Sequence, residues 1–118
     1  MTEYTDKTGA TVTVERSGSR EAFEIRDASG ELAGHADFRE IDGERIFHHT
    51  VVGEEFGGRG IGTALVRGAV EATRADGVTI VPVCSMVEGF LGKNADEFAG
   101  AYRDATAADR ARVGAEEG

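Results

Sequence analysis

From residue 11 to residue 52 apolar and polar positions alternate, the period-two pattern of strands that lay one face on a core. Thr11-Val12-Thr13-Val14-Glu15 alternates and Ser17-Gly18-Ser19 interrupts it. Ala22-Phe23-Glu24-Ile25-Arg26 alternates again with Phe23 and Ile25 on one face, and Ala28-Ser29-Gly30 turns the chain. A third strand is expected from about Leu32 to Glu40, with Leu32, Gly34, Ala36 and Phe38 sharing a face. Asp42-Gly43 is the strongest hairpin signal in the chain. Arg45 to Val52 follows as a fourth strand, rich in β-branched and aromatic residues. Short turns between these runs predict an antiparallel meander. The first ten residues are polar and aperiodic and are expected to fray.

The pattern then changes period. Gly53 to Gly60 is a turn region, and beyond it Ile61, Ala64, Leu65, Gly68, Ala69 and Ala72 recur at three- and four-residue spacing. That spacing predicts an amphipathic helix to about Ala75, closed by Gly77 just past its end. Val78-Thr79-Ile80-Val81-Pro82-Val83 reads as a short buried strand, and Val87, Phe90, Leu91 and Phe98 as one or two short helices. Ala105 to Gly118 is alanine-rich and charged, a helical or disordered tail. With no internal repeat and no dividing linker, residues 1–118 read as one α+β domain with an ordered core of about 11–102.

The glycine turn between the fourth strand and the long helix is the main candidate for chemistry. A helix's first amides lack intrahelical partners and carry the positive end of the macrodipole, which suits an anion. Gly58, Gly60 and Gly62 have no side chain to keep a pyrophosphate from the backbone, so the donors are the amides of about Gly58 to Thr63. Arg59 could add a charge-assisted contact, and Thr63 its hydroxyl. A Walker loop needs Gly-Lys-Ser/Thr, which this turn lacks. A dinucleotide fold needs the turn after a first parallel strand with a second βαβ unit to follow, and here it closes a meander. The turn taken alone also fits a loop with no ligand.

Charge and cysteine content narrow the function classes. The 118 residues carry 22 acids and 13 bases, a net −9, which repels a phosphate backbone and disfavours nucleic acid as a partner. The same surplus fits a high-salt cytoplasm, a solubility device, or a surface that attracts a cationic amine. No apolar run approaches the ~20 residues of a membrane span, and the N-terminus lacks the form of a signal peptide, so a cytoplasmic protein is expected. Cys84 is the single cysteine, which excludes an internal disulfide and a multi-cysteine metal site; no metal is expected. Cys84 is then a buried apolar thiol, a reactive thiol, or an intermolecular partner.

Gly58-Arg59-Gly60-Ile61-Gly62-Thr63-Ala64-Leu65-Val66 resembles the acetyl-CoA pyrophosphate loop of the GCN5-related N-acetyltransferases, with Gly57 where the family usually opens on Gln or Arg. His49-Thr50-Val51-Val52 before the turn, Pro82-x-Cys84, and Phe90-Leu91-x-Lys93-Asn94 after it are similar to the small single-domain YjdJ-type branch. Val51 stands for an acidic residue usual there, and Asn94-Ala95 for a usual His-Pro. The resemblance spans about Phe23 to Phe98. It implies an acetyl-CoA-dependent N-acetyltransferase with His49 and Cys84 near the thioester and with Val51, Val52, Gly57 to Thr63, Lys93 and Asn94 around the cofactor.

An amine attacks a thioester only when neutral, so a base must take its proton, and histidine suits that work. A thiolate could instead accept the acetyl group and pass it on. An amide near Val51 or Val52 could steady the thioester oxygen. By strand alternation His49 points opposite to His48, its competitor, with His35 third. His49 and Cys84 equally fit a packed imidazole and a plain buried thiol, Lys93 a solvated helix charge, and Tyr102 packing. The other function class is a non-catalytic module that binds CoA or acyl-CoA. The acceptor is a small-molecule or protein amine, and a short sheet edge could pair with a second copy as a homodimer.

Overall fold

The computed structural model describes residues 2–114. Its elements are β1 (Thr2–Thr5), β2 (Thr11–Arg16), β3 (Ala22–Arg26), β4 (Leu32–Ile41), β5 (Glu44–Val52), α1 (Ile61–Ala75), β6 (Thr79–Pro82), α2 (Ser85–Lys93) and α3 (Ala107–Arg112). The strands form one six-stranded sheet in chain order, β1-β2-β3-β4-β5-β6. The first five pair antiparallel and β6 joins β5 in parallel. The expected α+β architecture, a meander followed by loop, helix, strand and helix, is the one observed.

The N-terminus forms a strand that the hydrophobic pattern does not indicate. Thr2–Thr5 pairs antiparallel with Thr11–Val14. The segment carries a single large apolar residue, Tyr4, so no period could show. Its anchor lies far along the chain: the Tyr4 hydroxyl donates to Glu71 on α1 at 2.5 Å. The C-terminal tail is helical over Ala107–Arg112, with a Thr106–Asp109 capping box. The rest of that tail, residues 115–118, lies outside the described residues.

The core lies between α1 and the sheet. Phe23, Phe38 and Phe47 pack at 5.5–6.2 Å between ring centroids beneath Leu65, Ala69 and Val70. A smaller cluster, Ile46, Val81 and Val83 with Ala105 and Val113, is covered by the C-terminal segment. Two bulges alter the faces that strict alternation assigns. Between β3 and β4, Ile25 pairs with Gly34 and Arg26 with Leu32, so Ala33 is the extra residue. Ala33 is buried while Leu32 is 43% exposed, which removes Leu32 from the face it was expected to share with Phe38. The second bulge lies in β5 at His48.

Gly68 lets α1 approach β2. A Cβ there would stand 2.7 Å from the Val14 Cβ, an atom fixed to the strand backbone. Gly68→Ala is expected to lower the melting temperature although alanine is the better helix former. Overpacking costs ~1–3 kcal/mol against a propensity gain of ~1 kcal/mol. An unchanged or higher melting temperature would mean that α1 backs away without loss.

Candidate active site

The site grows from the point where β5 and β6 part. Their parallel pairing ends at Phe47 and Pro82. The Val83 and Cys84 amides both donate to the Phe47 carbonyl, at 2.9 and 2.8 Å, and turn the chain into α2. Residues 48–52 of β5 continue alone on that side. Gly53 N–H donates to Ala33 O at 2.9 Å. Ladder alternation from that bonded pair turns the amides of Thr50 and Val52 toward the open side and that of Val51 toward β4. Val52 thus remains a candidate for an amide contact in the cleft. Val51 does not, because its amide belongs to the sheet.

Asp37 pairs with His49 and Phe38 with Phe47, which makes His48 the inserted residue of the β5 bulge. With His48 inserted, strict alternation no longer assigns the two histidines to opposite faces, and both border one cavity of about 270 Å³, with Thr50, Cys84, Glu88 and Arg110. Burial holds the His48 imidazole below the usual histidine range. The His49 ring lies 6.4 Å from that of His35, whose Nδ1 is 2.9 Å from Asp37. Cys84 is half-buried, and its Sγ lies 3.2 Å from the Thr50 hydroxyl. Among the described residues no hydrogen bond joins either of these imidazoles to Cys84. The structure brings the pair to one cavity without linking them.

The glycine turn opens α1. Gly58 and Gly60 both adopt left-handed backbone, φ 78° and 77°, a conformation that glycine takes without a Cβ penalty as the turn leads into α1. No side chain caps the helix. Among the described residues the amides of Gly58, Arg59, Gly60, Ile61, Gly62 and Thr63 donate to no acceptor, and the first bonded amide is that of Ala64, to Gly60 O. Such a row of amides at a helix start is a cradle of the kind an anion takes. Two of the expected ligands leave it. Gly57 donates its amide to Glu54 O at 3.1 Å, closing the 3-10 turn Glu54–Phe56. The Arg59 guanidinium is held by Asp6 Oδ2 at 3.0 and 3.2 Å and lies over the Phe56 ring, so it serves the turn's own structure. Ile61 is buried and offers only its amide.

From the cradle a groove of about 400 Å³ runs between α1 and α2, lined by Thr63, Arg67, Met86, Phe90, Lys93 and Asn94. Lys93 brings the groove a cation. Asn94 donates its side-chain amide to Phe90 O at 2.8 Å and thereby ends α2. Met86, 42% exposed, bridges the two regions: a Cβ on Gly62 would lie 3.3 Å from its sulfur and 3.6 Å from Val52 Cγ2.

Sequence reading missed Asp6, Lys7, Met86, Glu88 and Arg110 at this site. Met86 and Glu88 carry no pattern beyond helix α2, and Arg110 comes from the tail. Asp6-Lys7-Thr8-Gly9 is a legible turn, with the Asp6 carboxylate accepting from the Thr8 amide. Nothing local announces its contact with Arg59.

A family model described as GCN5-related N-acetyl-transferase matches residues 22–100. No curated protein matches the chain. Among solved structures, the chain is similar to a solution structure of a GCN5-like candidate N-acetyltransferase from Staphylococcus aureus, with 26% identity and a TM-score of 0.59. That likeness covers 80% of this chain and 91% of the other.

Proposed function

The chain belongs to the GCN5-related N-acetyltransferases, an acyltransferase family whose cosubstrate is acetyl-CoA, and on that premise we propose that it acetylates an amine held beside His49 and Cys84. The observation that carries this reading is the row of unpaired amides from Gly58 to Thr63, next to a groove between α1 and α2. Those amides bind the pyrophosphate, and Lys93 lies within the groove for a further phosphate. The amide of Val52 faces the tether, and that of Thr50 is placed to steady negative charge on the thioester oxygen.

Direct transfer fits the arrangement better than relay through the thiol. His49 takes a proton from the acceptor amine, the amine nitrogen bonds to the carbonyl carbon, and the carbon–sulfur bond breaks to release the CoA thiolate, which is then protonated. Cys84 lines the same cavity with Thr50 as its hydrogen-bond neighbour, and among the described residues no hydrogen bond joins it to an imidazole. Glu88 brings a carboxylate to the cavity and Arg110 a guanidinium.

Calorimetric titration tests the reading. Acetyl-CoA and CoA should both bind, and Gly62→Leu should abolish binding by filling the passage beside Met86 and Val52. Failure of the native chain to bind either compound would overturn it. Binding without turnover of any amine would instead support a CoA-holding module.

A further inference from the structure

We propose that Asp6 is a positioning residue for the cofactor cradle: its buried carboxylate clamps Arg59 and thereby holds the turn whose amides bind the phosphates. The inference rests on the reading of the turn as a pyrophosphate seat.

In the run Gly57-Gly58-Arg59-Gly60-Ile61-Gly62, four of six residues have no side chain, and Ile61 is committed to the core. Arg59 is therefore the one polar side chain by which the rest of the protein can grip the turn. Asp6 grips it with Oδ2, which accepts from Arg59 Nε at 3.2 Å and Nη2 at 3.0 Å. The neighbouring Lys7 amide donates to the Arg59 carbonyl at 2.8 Å, so residues 6 and 7 hold both the side chain and the main chain.

The clamp is rigid at its other end as well. The Asp6 side chain has no exposed surface, and its Oδ1 accepts from the Thr8 amide, the Thr8 hydroxyl and the Ala10 amide at 2.7–3.0 Å. Arg59 sits between two glycines in left-handed backbone, a conformation with many alternatives open to it once the handle is released. An acidic group this close to an anion site would repel the ligand were it not neutralised, and Arg59 supplies that neutralisation. The clamp comes from the turn after β1, outside the residues 22–100 that the family model matches.

The experiment compares two ligands on Asp6→Asn, a change that keeps the size of the side chain. Acetyl-CoA carries the pyrophosphate, and S-acetylpantetheine lacks it. Loss of the clamp should weaken acetyl-CoA by about 10–100-fold, the scale of a charge-assisted hydrogen bond, and leave S-acetylpantetheine binding unchanged. Should Asp6→Asn fail to fold, Arg59→Lys keeps both charges while losing the two-donor grip, and the same ligand selectivity is expected from it. Equal weakening of both ligands, or native affinity for acetyl-CoA in a folded variant, overturns the proposal. A native chain that binds neither ligand removes the pyrophosphate reading itself, and this proposal with it.

Discussion

Arg45→Ala is expected to cost about 3 kcal/mol of folding stability, whereas Arg45→Met should cost about 1 kcal/mol or less. Arg45 is 2% exposed, and its guanidinium stacks over Phe38 at 5.0 Å and near Phe23 at 5.7 Å. Its nitrogens reach Glu40 at 2.9 Å, Asp76 at 3.2 Å and the Thr73 hydroxyl at 3.0 Å, tying β5 to α1. Both acidic partners are well exposed, 38% and 52%, so water takes them back when the arginine goes. Thr73 still donates to Ala69 O. What alanine leaves is mainly a cavity against the adjoining Phe23 and Phe38 rings, and methionine refills most of it. Urea denaturation of both variants separates the two causes: equal losses would mean that the charge contacts dominate, and unequal ones that the packed stem does.

The same residue shows where sequence reading reaches its limit. Arg45 sits in a strand whose alternation was legible, yet no pattern says that a guanidinium will be buried against α1, because both acidic partners and Thr73 come together only in the fold. The helix α1 was legible almost to the residue, since Ile61, Ala64, Leu65, Gly68 and Ala69 are all buried and the glycines that open it carry no competing preference. The strand β1 was not, because its stability comes from Tyr4 meeting Glu71 and Asp6 meeting Arg59 across 67 and 53 residues.

The bulges hide for a related reason. One extra residue at Ala33 or His48 leaves composition and spacing untouched and reverses the face of every later residue in its strand. Candidate chemistry was accordingly legible as types in order, glycine turn, histidine and cysteine, while side-chain direction was not. Arg59 is the clearest case: a cation beside a phosphate loop invites a phosphate contact, and the chain had already placed Asp6 on it.

His49→Ala is expected to lower kcat/KM for an amine that the native enzyme accepts by about 10²–10⁴-fold, with acetyl-CoA affinity preserved. The size follows from the imidazole's role in direct attack. Without a positioned base, only the small neutral fraction of a solution amine reacts, and its proton must leave to water. Preserved affinity follows from position, because the cradle amides and the groove lie on α1 and α2 while His49 lies on β5 beyond the bulge. Cys84→Ala, by contrast, should retain turnover within about tenfold, since the thiol bonds to Thr50 and no imidazole bonds to it. The opposite ranking would decide for relay: abolished turnover in Cys84→Ala, together with an acetyl group found on Cys84 when native protein meets acetyl-CoA without acceptor. His48→Ala guards the assignment between the paired histidines. The bulge brings both to one cavity, and burial favours the neutral form of His48. A larger loss in His48→Ala than in His49→Ala would move the base to the inserted residue, and the bulge would then be the device that makes the catalyst.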